Sequence, residues 1–262
     1  DTDKKQVWQI VGEPEADAAA PRRSPPSVIQ LIARRMARLS PRALELARCA
    51  AVAGSDFSIE LAVEVLRAPA IALADAWAEL EAAGVLRDQA FAHDLVYECT
   101  LAGVPAAIAR HLHGEVAACL AARGGAAPAA LARHWLAAGR IEPALPALRA
   151  AAESAAQAYD LVEAGRLWGE LAELQRARGE LDAAFASAEA AADALRAQTT
   201  GQAFEAALQR LQSLATTPEQ RAGVCRHRAE QALDRGDHVG AELFIRQGLQ
   251  VLGEAGAPAA RV

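Results

Sequence analysis

The chain has 262 residues, enough for one large domain or two ordinary ones with buried cores. Hydrophobic residues make up 53% of it, but 69 of the 262 are alanine, and the absence of any run of about 18 strongly apolar residues argues against a membrane-spanning helix. Aromatic residues reach only 4% and β-branched residues are few, which disfavours a β-sandwich or barrel and predicts a mainly α-helical protein. The net charge of −6 argues against nonspecific nucleic-acid binding.

Arginine and cysteine are distributed in informative ways. Residues 21–50 hold seven arginines against Glu45 alone, a local charge of +6 that leaves −12 for the rest of the chain. The four cysteines are far apart and lack metal-ligand spacing, so we predict small buried side chains in a reducing cytoplasm and no metal site. No signal peptide is recognisable, and the start at Asp1 rather than methionine suggests a piece of a longer polypeptide.

Residues 1–24 are predicted to be an N-terminal arm with one short strand over 6–11 and a linker rich in proline and alanine. From Pro25, apolar residues recur at helical spacing with arginines on the opposite face. The apolar positions are Val28, Leu31, Ile32, Met36 and Leu39. Ser40-Pro41 ends this helix and caps a second one, which runs to Gly54.

Two further helices and a change of pattern follow. Ser58 is the predicted cap of the third helix, and Pro69 precedes a fourth that stops at Gly84. Residues 85–93 then form a short segment with Asp88-Gln89 at its centre, which predicts a small β-hairpin.

Helix resumes directly after the hairpin. Asp94 is predicted to cap a helix through about Leu101, and Pro105 starts another that ends at Gly124-Gly125. Helices followed by one strand pair stand in the order of a winged-helix unit, with the hairpin as its wing. We therefore predict a winged-helix domain over residues 25–124.

Residues 125–262 are predicted to be an array of α-helical hairpins of tetratricopeptide type. Helical segments end at Ala138-Gly139-Arg140, Arg178-Gly179-Glu180 and Arg235-Gly236-Asp237, and the dense alanine between them lets helices approach closely. The glycines are 40 and 57 residues apart, so the repeats are degenerate and one hairpin lacks the glycine.

Two stretches carry a family resemblance. The first comprises residues 26–29 (PSVI), 34–40 (RRMARLS) and 50–57 (AAVAGSDF), and the second comprises 91–98 (FAHDLVYE), 110–113 (RHLH), 131–135 (LARHW) and 138–139. In order and spacing they resemble the STAND signal-transduction ATPases, in particular bacterial members akin to the maltose-regulon activator, large LuxR-type regulators and predicted ATPases attached to nucleotide cyclases. The resemblance covers about residues 6–165.

The resemblance implies an upstream nucleotide-binding domain, because such proteins carry a P-loop immediately before the winged helix. This chain has no GxxxxGK motif followed by Ser or Thr, so we expect no ATP hydrolysis from it and no cofactor of its own. By the same resemblance, the full-length parent binds ADP or ATP with Mg²⁺, the repeats bind an effector protein or small inducer, and activation involves oligomerisation.

His93-Asp94 matches a His-Asp pair that in STAND proteins is thought to contact the phosphate of bound ADP and hold the closed state. An imidazole N–H can donate to a phosphate oxygen while the aspartate caps the next helix and orients the ring. The alternative interpretation is that Asp94 is only an N-cap and His93 a domain-packing residue. We predict no catalytic residue in this chain.

Two other functions remain open. The helical array can be a protein-interaction scaffold that grips a peptide, with the first domain as a structural cap. A DNA-binding winged helix is the weakest hypothesis, because the helix in the recognition position, about residues 70–83, carries Asp75, Glu79 and Glu81 and no Lys or Arg. The arginines of the first helix are interpreted as a solvated face or a contact with the absent ATPase domain.

Overall fold

The computed structural model describes residues 26–196 and 201–256, and in these ranges the protein is mainly helical, with thirteen α-helices and one two-stranded antiparallel sheet. The mainly α prediction is therefore confirmed. The predicted arm, including the strand at 6–11, lies outside the described residues.

The elements of residues 26–123, which we call the N-terminal unit, alternate short helices with one hairpin. They are α1 Pro26–Met36, α2 Pro41–Ala53, a 3-10 turn Gly54–Asp56, α3 Ile59–Val65, α4 Ala70–Ala82, β1 Leu86–Arg87, β2 Ala90–Phe91, α5 Asp94–Ala102 and α6 Ala106–Arg123. Helices α2, α3 and α4 pack against one another, and α5 and α6 close the unit against α2.

Local capping sets the ends of α2 and α3, as predicted. The Ser40 hydroxyl accepts from the Ala43 N–H at 3.2 Å, and the Ser58 hydroxyl accepts from the Leu61 N–H at 3.1 Å. Gly54 ends α2 with a φ of +61°, a conformation that favours glycine.

The predicted hairpin is also confirmed. Its two central residues, Asp88 and Gln89, have φ values of +50° and +69°, the pattern of a type I′ turn. Leu86 pairs with Phe91 and Arg87 with Ala90. The hairpin therefore delivers the chain directly to the start of α5.

The buried core of the N-terminal unit runs from Ile32 to Val116, and partly buried residues such as Cys119 and Leu120 pack against it. Its largest fully buried side chains are Leu46, Leu61, Leu73, Leu80 and Leu86. Separate clusters lie within residues 132–171 and 172–224.

The face of α1 departs from the sequence pattern. Ile32 and Met36 are buried as expected, but Leu31 is 63% exposed and Val28 is 37% exposed. Val28 and Leu31 thus belong to the predicted apolar face but are not buried by the described residues. Periodicity identifies the apolar face of a helix but not what covers it. In the described part of the chain, this face is covered at Ile32 and Met36 and left open at Val28 and Leu31.

Residues 128–256, which we call the helical array, contain only helices in their described part. They are α7 Pro128–Ala137, α8 Ile141–Gln157, α9 Leu161–Ala177, α10 Leu181–Leu195, α11 Gln202–Leu214, α12 Pro218–Asp234 and α13 His238–Gly256. Each helix packs against the next along the chain, which makes the array a succession of helical hairpins.

The three predicted glycine turns occur, and a fourth turn has the same geometry without glycine. Gly139, Gly179 and Gly236 have φ near +75°, and Tyr159 has a φ of +60° between α8 and α9. In each turn the following residue donates its N–H to the carbonyl five residues earlier, as Asp160 does to Ala155 at 2.9 Å. The uneven spacing arises because two helices separate the first two glycines and three separate the last two.

A Tyr159→Gly substitution is expected to raise the free energy of unfolding by about 0.5–1 kcal/mol, because positive φ strains a non-glycine residue by more than the added chain entropy of glycine costs. Tyr159 is 88% exposed, so its side chain contributes little packing that the change would remove. Urea denaturation at neutral pH measures the effect. The matched control is Gly179→Ala, where no atom lies within 4 Å of the added methyl, so backbone strain alone should lower stability by about 1 kcal/mol. A stability loss in Tyr159→Gly would contradict the strain argument.

Candidate functional site

His93 and Asp94 lie where the hairpin joins α5, and both side chains are exposed. The prediction that Asp94 is the N-cap is wrong by one residue: His93 occupies the cap position with extended backbone, φ −152° and ψ 143°, and Asp94 is the first helical residue. The reason is that His93 still has extended backbone, so the first helical residue is Asp94. Asp94 instead places its carboxylate in the first turn, where it interacts favourably with the positive end of the helix dipole.

The second predicted feature, an aspartate that orients the imidazole, is not seen. Across the part of the chain that the structure describes, no hydrogen bond joins Asp94 to His93, and His93 makes no side-chain cap bond to α5. Among the described residues, neither ring nitrogen of His93 has a hydrogen-bond partner.

His93 opens into a groove along α1, which we call the α1 groove, with a volume of about 990 Å³. Its apolar lining comes from Val28, Leu31, Ile32, Leu39, Leu95 and Val96, together with Ala82 and Ala83. Its ionisable lining comes from Arg34, Arg35, Arg38, Glu79 and His93. Helices α1, α4 and α5 therefore each contribute a wall.

The single acid of the groove is already engaged. Glu79 accepts from the Ser40 hydroxyl at 2.5 Å and from the Ser40 backbone N–H at 2.7 Å. These two hydrogen bonds lower the pKa of the Glu79 carboxyl and keep it ionised as an anchor between α4 and the start of α2.

Three arginines line the groove. Arg35 lies against Gly84, just after α4, and Arg34 and Arg38 are four residues apart, the first in α1 and the second in the turn that follows it. With Glu79 bonded to Ser40, the groove carries an excess of positive charge above an apolar floor. Such a surface suits an anion held at the rim of an apolar partner.

Sequence reasoning missed these three arginines as part of the same site as His93. It identified them as one helical face and assigned that face to solvent or to an absent domain. The i, i+1, i+4 spacing of Arg34, Arg35 and Arg38 was the available signal, but only tertiary packing places the start of α5 beside that face.

The helix in the recognition position of the predicted winged helix, α4, is acidic and apolar on its outer surface. Asp75 and Glu81 are exposed, Ile71 is exposed as well, and α4 contains no Lys or Arg. Such a surface repels a phosphate backbone. The geometry of α4 thus gives no support to DNA binding.

The remaining histidines and cysteines do not form a metal centre in residues 26–196 and 201–256, where no cluster of three or more ligating side chains occurs. His111 is exposed, whereas His113 contacts His134 of α7. His227 is wholly buried and accepts from the neighbouring Arg226 at 3.0 Å. Contacts of this kind depend on helix packing and leave no signature in spacing along the chain.

The cysteines are only partly as predicted. Cys49 and Cys225 are buried, while Cys99 and Cys119 are half-buried, and all four thiols are free. Burial, with a smaller contribution from Cys119, raises the pKa of the Cys49 thiol to about 12, so this side chain is an inert core residue at neutral pH.

No protein-family model, curated protein or solved structure matches this chain. In the described ranges, none of the helices combines the length and the apolar character needed to cross a membrane.

Proposed function

We propose that this chain is the non-catalytic regulatory part of a cytoplasmic STAND-type ATPase. In this proposal residues 25–124 are a winged-helix domain that controls a nucleotide switch, and residues 125–262 are a tetratricopeptide-like array that binds an effector protein or small inducer. The observation that carries the proposal is the α1 groove, where His93 lies with three arginines above an apolar floor.

The upstream nucleotide-binding domain would occupy the α1 groove. Its apolar surface would cover Val28 and Leu31, which the described residues leave exposed. ADP, or ATP with Mg²⁺, bound by that domain would supply phosphate charge at the rim. Toward that charge His93 can donate an imidazole N–H, and Arg34 and Arg38 can donate guanidinium N–H groups.

In this proposal, contact through the groove belongs to a closed, ADP-bound state in which the winged helix holds the ATPase domain inactive. An effector on the array would release this clamp only if it binds the open state better than the closed one. Oligomerisation of the released parent protein would then be the activating step.

A protein-interaction scaffold without nucleotide control is the second candidate, and one feature of the array favours it. A groove of about 600 Å³ lies between the 3-10 turn, α7, α8 and α9. It is lined mainly by alanines and by Leu136, Leu148 and Leu167, with Arg133 and Arg166 among its charged residues. An apolar groove with charged walls suits an extended or helical peptide.

The test is a His93→Ala substitution in the full-length parent protein. We expect it to weaken ADP retention, measured as nucleotide released per protein after denaturing the purified parent, or to make the output constitutive. His111→Ala is the matched control, because His111 is an exposed histidine of α6 that does not line the α1 groove.

The same experiment separates the two candidates. Unchanged nucleotide content together with unchanged output in His93→Ala would contradict the switch. A parent gene without an upstream P-loop would favour the scaffold.

A further inference from the structure

A four-residue polar cluster joins the N-terminal unit to the helical array. Asp56 comes from the 3-10 turn, His113 from α6, and Arg133 and His134 from α7. Among residues 26–196 and 201–256, every side-chain hydrogen bond between the two parts belongs to this cluster. The polar coupling of the array to the rest of the protein is therefore concentrated at one point.

His134 is the centre of the cluster and is wholly buried. Its Nδ1 lies 2.8 Å from Nδ1 of His113, and its Nε2 lies 3.3 Å from Oδ2 of Asp56. The Arg133 guanidinium binds the same carboxylate oxygen at 2.5 Å and lies 3.3 Å from the His134 Nε2. Two further ionisable side chains lie nearby: Arg140 packs against Gly114, and Tyr97 approaches Gly54.

The Nδ1 to Nδ1 distance fixes the proton count. Two imidazole nitrogens 2.8 Å apart form a hydrogen bond only when one of them carries a proton and the other a lone pair. The Asp56 carboxylate favours a proton on Nε2 of His134, so Nδ1 of His134 accepts and Nδ1 of His113 donates.

While the joint is closed, the two imidazoles can share one extra proton but not two. The first goes to Nε2 of His113, whose ring is half-buried, and leaves the bond between the two rings intact. A second proton must go to Nδ1 of His134, whose lone pair already accepts the hydrogen bond from His113. Both rings would then be cations and donors at contact distance, in a buried position.

Burial, Arg133 and His113 together lower the pKa of His134 to about 4, although Asp56 raises it. Burial and Arg133 also lower the pKa of His113. The lowered pKa values agree with the geometry, because a proton added to either ring would place a positive charge near another cation and away from water.

We propose that the Asp56–His113–Arg133–His134 cluster is an acid-sensitive joint: it holds α6 and α7 together while the two imidazoles share at most one added proton, and it opens when the second proton is added. Opening breaks the hydrogen bond between His113 of α6 and His134 of α7. The exposed Arg133–Asp56 ion pair then remains as the polar link between the N-terminal unit and the array. The joint requires neither nucleotide nor effector, so it does not depend on the function proposed above.

Amide hydrogen exchange of the 262-residue chain tests the joint, with rates corrected for the intrinsic pH dependence of exchange. Between pH 7 and about pH 4.5, we expect the protection of α7 to fall about tenfold, the effect of losing one buried hydrogen bond. Protection of α9, which lies outside the cluster, reports the change in global stability, and the tenfold fall in α7 is measured relative to it. Equal losses in α7 and α9, or no loss in α7, would overturn the proposal.

Two variants assign the effect to the histidines. His134→Phe removes both nitrogens, and we expect it to abolish the pH dependence of α7 protection. Should this variant fail to fold, His113→Gln takes its place, because its amide N–H can donate to His134 without titrating, and it should reduce the acid-induced loss. His111→Gln, on the same helix but exposed, is the control and should behave as the wild type. An undiminished loss of protection in His134→Phe, or in His113→Gln, would also overturn the proposal.

Discussion

A Gly165→Ala substitution is expected to destabilise the protein by about 2 kcal/mol, despite replacing glycine by a better helix former. A methyl group on Gly165 would lie 2.8 Å from Cδ2 and 2.9 Å from Cδ1 of Leu195, at the contact of α9 with α10. Leu195 is itself buried and belongs to the core cluster that includes Phe204 and Leu208, so displacing it would disturb the packing of that cluster. The steric cost therefore exceeds the gain in helix propensity of about 1 kcal/mol.

Gly223→Ala is the matched control, because Gly223 also lies inside a helix of the array. A methyl group there would meet Glu189 at 3.8 Å and Phe185 at 3.9 Å, which are ordinary contact distances. We expect this variant to be more stable than the wild type by about 0.5–1 kcal/mol. Urea denaturation of both variants under identical conditions gives the comparison. A Gly165→Ala variant as stable as Gly223→Ala would show that α9 and α10 do not approach as closely as described.

Features set by neighbouring residues could be predicted from the sequence. Ser40 and Ser58 start their helices through hydrogen bonds that span only three residues, and Asp88-Gln89 makes a turn whose geometry is complete within the hairpin. The glycine turns of the array are local in the same sense. Tyr159 was missed because a tyrosine at positive φ gives no turn signal, although its turn has the same hydrogen bonds.

Features that depend on packing between distant segments could not be predicted. The sequence indicated His93, but its grouping with Arg34, Arg35 and Arg38 results from how α5 lies beside α1. The contact of His113 with a histidine 21 residues later requires α7 to fold back along α6. The exposure of Leu31 could not be predicted for the same reason, because periodicity gives the direction of a side chain but not which segment packs against it.

The stability of the protein is expected to decrease on acidification from pH 7.5 to pH 5 by about 2 kcal/mol, through His134. The pKa of this histidine is about 4 in the folded protein, against about 6.5 in an unfolded chain. Between these values the unfolded state binds more protons than the folded state, so unfolding is favoured as the pH falls. The contribution of His134 is complete above about pH 6.5 and is lost progressively as the pH falls toward 4. The lowered pKa of His113 acts in the same direction.

The range from pH 7.5 to pH 5 isolates the histidines, because carboxylates with lowered pKa, such as that of Glu79, lose their contribution only at more acidic pH. Urea denaturation at intervals across this range measures the slope. His134→Gln should be less stable than the wild type at pH 7.5, since the amide cannot reproduce both ring contacts, but it should lose most of the pH dependence. His111→Gln removes an exposed imidazole from α6, the helix of His113, and should keep the wild-type slope. If His134→Gln retains that slope, His134 is not the source of the pH dependence of stability.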